Sequence, residues 1–179
     1  MSWTIDNSHT SAEFSVRHLM VTTVKGRFTK VSGTGEFDEA DPSNSWVQAT
    51  LESESINTGD EKRDGHLRTA DFFEVEKYPL ITFKSSRVEK VSNEEYKIIG
   101  DLTIRDVTKE VTLAAEYAGQ VKSPFGDIRA GFSAHTSISR KDFGLSWNVA
   151  LETGGVMVSD KVQITLEVEL VQQVAEAVA

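Results

Sequence analysis

From Lys161 to Leu170 the chain alternates without a break. Val162, Ile164, Leu166, Val168 and Leu170 fall on one side, and Gln163, Thr165, Glu167 and Glu169 on the other. Successive side chains of a strand point to opposite faces, so such a run is apolar on one face and polar on the other. The same period recurs along most of the sequence. It groups Ala12, Phe14, Val16 and His18 between Ser11 and His18, and Val47, Ala49 and Leu51 against Gln48, Thr50 and Glu52. Ile81 shares a face with Phe83, as do Tyr96, Ile98, Leu102 and Ile104 in the next run. Val107, Val111, Leu113, Ala115 and Tyr117 follow, then Ala130, Phe132, Ala134 and Ile138. Strands that are apolar on one face must either close their sheet on itself or pack it on a second sheet.

The connections between these runs have the chemistry of turns. Asn7–Ser8, Asp41 to Asn44, Ser92 to Glu95 and the Pro124- and Gly126-containing stretch from Lys122 to Asp127 are polar breaks. Arg105–Asp106 fits a two-residue hairpin turn. Gly26, Gly33 and Gly35 interrupt Lys25 to Phe37 and are expected to mark bulges or sharp coiling. The pattern predicts an all-β fold, a closed, lipocalin-like antiparallel barrel of about eight strands, near the size at which the interior is filled or holds one small ligand. Ala12, Ala49, Ala115, Ala130 and Ala134 stand among large inward residues. Such a lining suits an elongated cavity, and it equally suits side chains interdigitated into a solid core.

One stretch breaks the period. Between residues 58 and 78, Thr58 and Glu61 fit a capping box, and Asp64 and Arg68 sit four apart with the acid first. Gly65 weakens the helix, and Pro79 forces Tyr78 to extend. Asp71 with Glu74 suits the cap of a second turn that carries Phe72 and Phe73. Two adjacent phenylalanines on a short charged helix need an apolar surface to cover. The segment reads as a flap over an apolar opening or as a plug on a filled barrel. The loop from Ser139 to Ser159, with Arg140, Asp142, Phe143 and Trp147, is of a length that in compact domains is usually functional or disordered.

The 179 residues suit one domain over 1–171, with 172–179 a tail expected to form a frayed helical turn. The net charge of −9 argues against a nucleic-acid surface and against electrostatic docking on anionic lipid. No cysteine is present, which removes disulfide and thiolate chemistry. The N-terminal residues show neither a basic nor an apolar signal region, and no apolar run is long enough to span a membrane. The expectation is an unexported, cytoplasmic protein.

Several ordered blocks together resemble the YceI-like family of lipocalin-like, polyisoprenoid-binding proteins. They are DNSHTSAEFSVRH (Asp6 to His18), GRF (Gly26 to Phe28), RDGHLRTADFF (Arg63 to Phe73) and YPLITFKS (Tyr78 to Ser85). GDLTIRDVTKEV (Gly100 to Val111) and GFSAHTSISRKDFGLSWN (Gly131 to Asn148) continue the match. Asp106 departs from the glycine expected there, and Asp tolerates a left-handed turn better than most residues. Many relatives carry an export signal that this chain does not show. The resemblance implies a long apolar tunnel for an isoprenoid or similar lipid tail, a frequent homodimer, no catalysis and no cofactor.

On that reading Phe14, Val16, His18, Phe28, Phe83, Ile98, Leu102, Ile104, Phe132, Ala134 and Phe143 contact the lipid, and Phe72 and Phe73 cover it. His66, Arg68 and Arg140 meet a polar head, where the planar guanidinium fork suits a diphosphate. Arg68 paired with Asp64, Arg140 paired with Asp142 or a neighbouring carboxylate, and His18 as a satisfied core group are the structural alternatives. A rival reading is a hydrolase or metalloenzyme built from His9, His18, His66 and His135 with Asp6, Asp64 and Asp71. The sequence contains neither HExxH nor GxSxG. A third is a structural stress-response protein with a filled core.

Overall fold

The computed structural model describes residues 2–152 and 154–172, and there the alternating runs become strands close to where their periods begin and end. The chain order begins β1 (Trp3–Ile5), β2 (Ser11–His18), β3 (Thr22–Phe28), β4 (Val31–Glu36), β5 (Trp46–Glu52) and the short β6 (Ile56–Asn57). After helix α1 (Glu61–Leu67) come β7 (Leu80–Lys90), β8 (Glu95–Ile104), β9 (Val107–Lys122), β10 (Ile128–Ser139) and β11 (Lys161–Gln172). Eight of these form a ring in the order β1-β4-β5-β7-β8-β9-β10-β11, and β1 pairs back onto β11 to close it. The protein is a closed eight-stranded antiparallel barrel with one α-helix among the described residues.

One stave of the ring is built in two lengths. β11 pairs with β1 through Leu170 to Gln172 and with β2 through Gln163 to Glu167. The break between β1 and β2 is the turn Asn7–His9. Asn7 and Asp6 satisfy backbone there that a continuous strand would have paired: the Asn7 side-chain oxygen accepts the Val31 N–H at 2.7 Å, and Asp6 accepts the Ser8 N–H at 2.9 Å. β3 in turn diverges from β4 and pairs with β6.

The glycines of β3 and β4 are not bulges. An added Cβ on Gly26 would lie 2.4 Å from the Phe14 ring, and one on Gly33 would lie 2.3 Å from the Gln48 carbonyl oxygen, so these positions are places of close approach. The register shifts fall elsewhere, between Ser85 and Arg87 in β7 and at Gly131/Phe132 in β10, opposite Gly119 with its φ of +110°. The β8–β9 hairpin turns through Arg105–Asp106 as expected, with Arg105 and not Asp106 in the left-handed region (φ 55°).

The 58–78 insertion departs from its expected caps. Asp60 is the N-cap, accepting the Arg63 N–H at 3.0 Å. Thr58 gives its N–H and its hydroxyl to the buried carboxylate of Asp64, at 2.9 and 2.5 Å. With Asp64 turned inward and satisfied, the Asp64–Arg68 pair does not form. Asp71 and Glu74 do not cap a second turn: Asp71 meets His66 and Glu74 meets Arg105. After α1 the chain runs in irregular turns to Lys77. Gln172 ends β11, and the rest of the expected 172–179 tail lies outside the described residues.

Candidate functional site: an apolar cavity through the barrel

The inward faces do not fill the barrel. They enclose a cavity of about 410 Å³, within the range of small-molecule sites. β8 contributes Tyr96, Ile98, Leu102 and Ile104 to its wall, and β11 contributes every second residue from Val162 to Leu170. The wall is mostly apolar because the strand period turns most polar side chains outward, with Thr82 and Thr136 among the polar residues that reach it. At one end Phe37, just after β4, stands against Tyr96, Tyr117 and Phe132 at ring distances of 5.6, 4.7 and 5.0 Å. Burial and the neighbouring Glu39 push the Tyr117 phenol up to about 12.

The other end is covered by the flap. Phe73 meets Phe28 edge-on at 5.7 Å, and Phe72 lies 5.4 Å from Trp147 of the long loop. His66 is edge-on to both Phe72 and Trp147, at 5.2 and 4.8 Å, while its Nε2 sits 2.9 Å from Asp71. Beside it Arg63 bonds the Thr58 hydroxyl and carbonyl oxygen through Nε and Nη2, at 2.8 and 2.9 Å. Thr58, Arg63, His66 and His18 bring polar atoms to this end of an otherwise greasy lining.

Of the residues read as lipid contacts, Phe14, Val16, His18, Phe28, Phe72, Phe73, Phe83, Ile98, Leu102, Ile104, Phe132 and Ala134 all line the cavity. Phe143 does not. It is 2 % exposed and is buried in a cluster with Ile81, Ile104 and Leu145, which line the cavity in its place.

The expected head-group trio is also divided. His66 lines the cavity, but the Arg68 guanidinium is spent on the carbonyls of Glu54 and Ile56, at 3.0 and 3.1 Å. Arg140, 4 % exposed, reaches the lining yet donates to the carbonyls of Ser159, Leu145, Trp147 and Val158. Its ion-pair partner is Asp160 at 3.8 Å, a neighbouring carboxylate other than Asp142. Burial lowers the Arg140 pKa from its ordinary value. This arginine is the internal scaffold of the long loop.

The sequence marks Trp147 only as part of the long loop and gives Arg63 no head-group role, although the three-residue spacing of Arg63 and His66 on a helix is a readable sign that both share a face.

The four histidines do not converge. His135 is exposed on the outer face, His18 and His66 lie at the flap end, and His9 lies at the plugged end beside β1. Among the described residues the one cluster of potential metal ligands is Asp6, His9 and Glu169. Arg129 Nη1 donates to both Asp6 and Glu169, so a cation already sits between the carboxylates.

The chain matches the family described as YceI-like domain over residues 3–170. It belongs to the YceI-like family. The UPF0312 protein SA2479 of Staphylococcus aureus strain N315 is a relative with 39% identity, covering 94% of this chain and 96% of its own. Among solved structures, Burkholderia cenocepacia BcnA superposes with a TM-score of 0.81 at 24% identity, covering 94% and 99% of the two chains. A polyisoprenoid binding domain from Saccharophagus degradans, implicated in plant cell wall breakdown, superposes with a TM-score of 0.67 at 15% identity, over 94% and 97%. These two share the YceI-like barrel with this chain.

Proposed function

We propose that this YceI-like protein binds an elongated apolar lipid in its barrel and carries or stores it. The observation that carries the reading is a lumen lined almost wholly by hydrocarbon from the Phe37 plug to the Phe72–Trp147 cover. A bound chain gains roughly 0.8 kcal/mol for each CH₂ it buries, so a long tail binds tightly with no specific polar contact. The Saccharophagus degradans domain of the same fold is described as polyisoprenoid-binding, which supports a polyisoprenoid, isoprenoid quinone or similar long-chain amphiphile as the ligand class. The reading is of a binding protein and not an enzyme, and the scattered histidines support it.

The polar end of the ligand belongs at Arg63 and His66. Arg63 keeps Nη1 clear of hydrogen bonds among the described residues, whereas Arg68 and Arg140 are committed to carbonyls. Organic extraction of gently purified protein followed by mass spectrometry tests the carrier reading. A stoichiometric long-chain lipid is expected, and protein that is empty and takes up no prenol contradicts it. Arg63→Ala is expected to weaken a prenyl diphosphate relative to the uncharged prenol. The same preparation tests the proposed homodimer by light scattering, where a monomer mass at micromolar concentration argues against it.

A further inference from the structure

The tip of the β2–β3 hairpin is apolar, exposed and set next to the flap end of the cavity. Pairing of β2 with β11 stops at Ser15, and pairing of β3 with β6 reaches only to Arg27, so the residues between extend past both neighbouring strands. Leu19, Met20 and Val21 at the tip are 40, 55 and 70 % exposed, and Val149 on the adjoining loop is 46 % exposed. The two loops are joined by the Leu19 N–H to the Met157 carbonyl at 2.8 Å. His18, Met157 and Val158, directly behind the tip, line the cavity.

Two features set this tip apart from ordinary surface. Leu19 and Met20 both have positive φ, 51° and 64°, in a turn closed by the Val21 N–H to the His18 carbonyl. That backbone normally calls for Asn-Gly, so large apolar side chains are held here against local strain. The second feature is charge. From Phe14 to Gly35 the sequence contains Arg17, Lys25, Arg27 and Lys30, and all 28 carboxylates of this acidic chain lie outside that stretch. Arg17 and Lys25 lie on the outer face close behind the tip; Arg17 holds Thr23 Oγ1 at 2.9 Å, and Lys25 forms no ion pair among the described residues.

We infer that this hairpin is a wedge that docks the barrel on an anionic lipid bilayer. Leu19, Met20 and Val21 enter the boundary between headgroups and acyl chains, while Arg17 and Lys25 stay at the level of the phosphates. The overall charge of −9 opposed such docking, but it is an average over the whole surface, and the stretch from Phe14 to Gly35 carries cations and no carboxylate. Lys30 is paired with Glu52 and Arg27 stands opposite Glu13, which leaves Arg17 and Lys25 beside the tip. The inference rests on the carrier reading in one respect: a ligand that water does not dissolve has to enter from a phase that dissolves it.

The test is flotation with vesicles of phosphatidylcholine alone and of phosphatidylcholine mixed with phosphatidylglycerol. Wild type is expected to float with both and more strongly with the anionic vesicles. Lys25→Glu should cut the anionic preference roughly fivefold or more. The combined variant Leu19→Asn, Met20→Gly, Val21→Ser suits the turn better than the native residues, so it should unfold at no lower temperature while floating about tenfold less or worse. Wild type that floats with neither vesicle, or a tip variant that floats like wild type, overturns the inference. So does a tip variant that changes the mass of the protein in light scattering without vesicles, since the face would then join copies of this chain. Protein that carries extractable lipid and never floats leaves the carrier reading standing without the wedge; protein that floats and carries none leaves the wedge without the carrier.

Discussion

Arg105 and Glu74 join the β8–β9 turn to the flap through an ion pair of 2.8 Å, and both residues hold left-handed backbone, with φ of 55° and 47°. The same guanidinium reaches the Phe72 carbonyl at 3.4 Å and lies over the Tyr78 ring at 5.4 Å. One side chain thus fastens the segment that places Phe72 and Phe73 over the lumen.

Removing that fastener should free the flap before it unfolds the barrel. Arg105→Ala is expected to cost about 1–2 kcal/mol for a partly buried, charge-assisted contact, with faster amide exchange concentrated at residues 68–78. Exchange that rises evenly through β8, β9 and β10 would show that Arg105 supports the barrel and not the flap.

Ala115 and Ala134 face each other directly across β9 and β10, and Ala49 lines the cavity from β5. Indole placed there has to take up lumen space. In a packed core, Ala134→Trp overpacks and costs about 1–3 kcal/mol. With the cavity present, delipidated Ala134→Trp should keep most of the wild-type unfolding temperature while co-purified lipid is lost or shortened. Ala49→Trp and Ala115→Trp give independent repeats of the same measurement.

Arg140 should behave as a structural residue. Arg140→Ala takes the side-chain donor from the carbonyls of Leu145, Trp147 and Ser159, while Val158 keeps Asn148, and it leaves Asp160 with Lys141 alone, so a loss of about 3 kcal/mol is expected in chemical denaturation. Arg140→Lys should recover little of it, because one ammonium cannot reproduce the planar fork. Among molecules that still fold, prenol and prenyl diphosphate should weaken together, unlike the selective effect at Arg63.

The plugged end should give the protein its acid sensitivity. The Ser8 hydroxyl, His9 and Arg129 hold the Asp6 carboxyl well below its ordinary 3.8, and Asp6 and Glu169 raise His9 above its ordinary 6.5. The Asp6 contribution is present above pH 3.8 and is lost as pH falls through the lowered folded value. The His9 contribution has the opposite sign: full below 6.5, lost as pH rises through the raised one. Thermal unfolding of Asp6→Asn should therefore lack the acid-side loss, and His9→Gln the decline above neutrality. Wild-type-shaped pH profiles in both variants would rule out this network as the source.

How much of this was legible from residues depends on range. β2, β5, β8 and β11 follow from a period of two, since one buried face forces the alternation. His18, Phe83 and Ala134 could be placed in the lumen for the same reason. Arg68, Arg140 and Phe143 could not, because their settings come from irregular backbone. The carbonyls that hold Arg140 lie on the far side of its loop, up to nineteen residues away at Ser159. Asp64 went astray through a local rule: the four-residue spacing to Arg68 is real, but Thr58 offers the buried carboxylate two donors closer to hand.

The ring closes between residues far apart in the chain, Trp3 opposite Gln172 and Ser11 opposite Glu167. During synthesis, β1 and β2 must wait for β11 to leave the ribosome before their second edge is paired. Until then the apolar wall that later faces ligand is open to water as a curved, unsealed sheet. Contacts of such separation form slowly and leave exposed edges on the way. A nascent chain of this kind is a natural client for chaperones, and joining its two ends while cutting at the Ser123–Asp127 hairpin would convert the last seam to form into a local one.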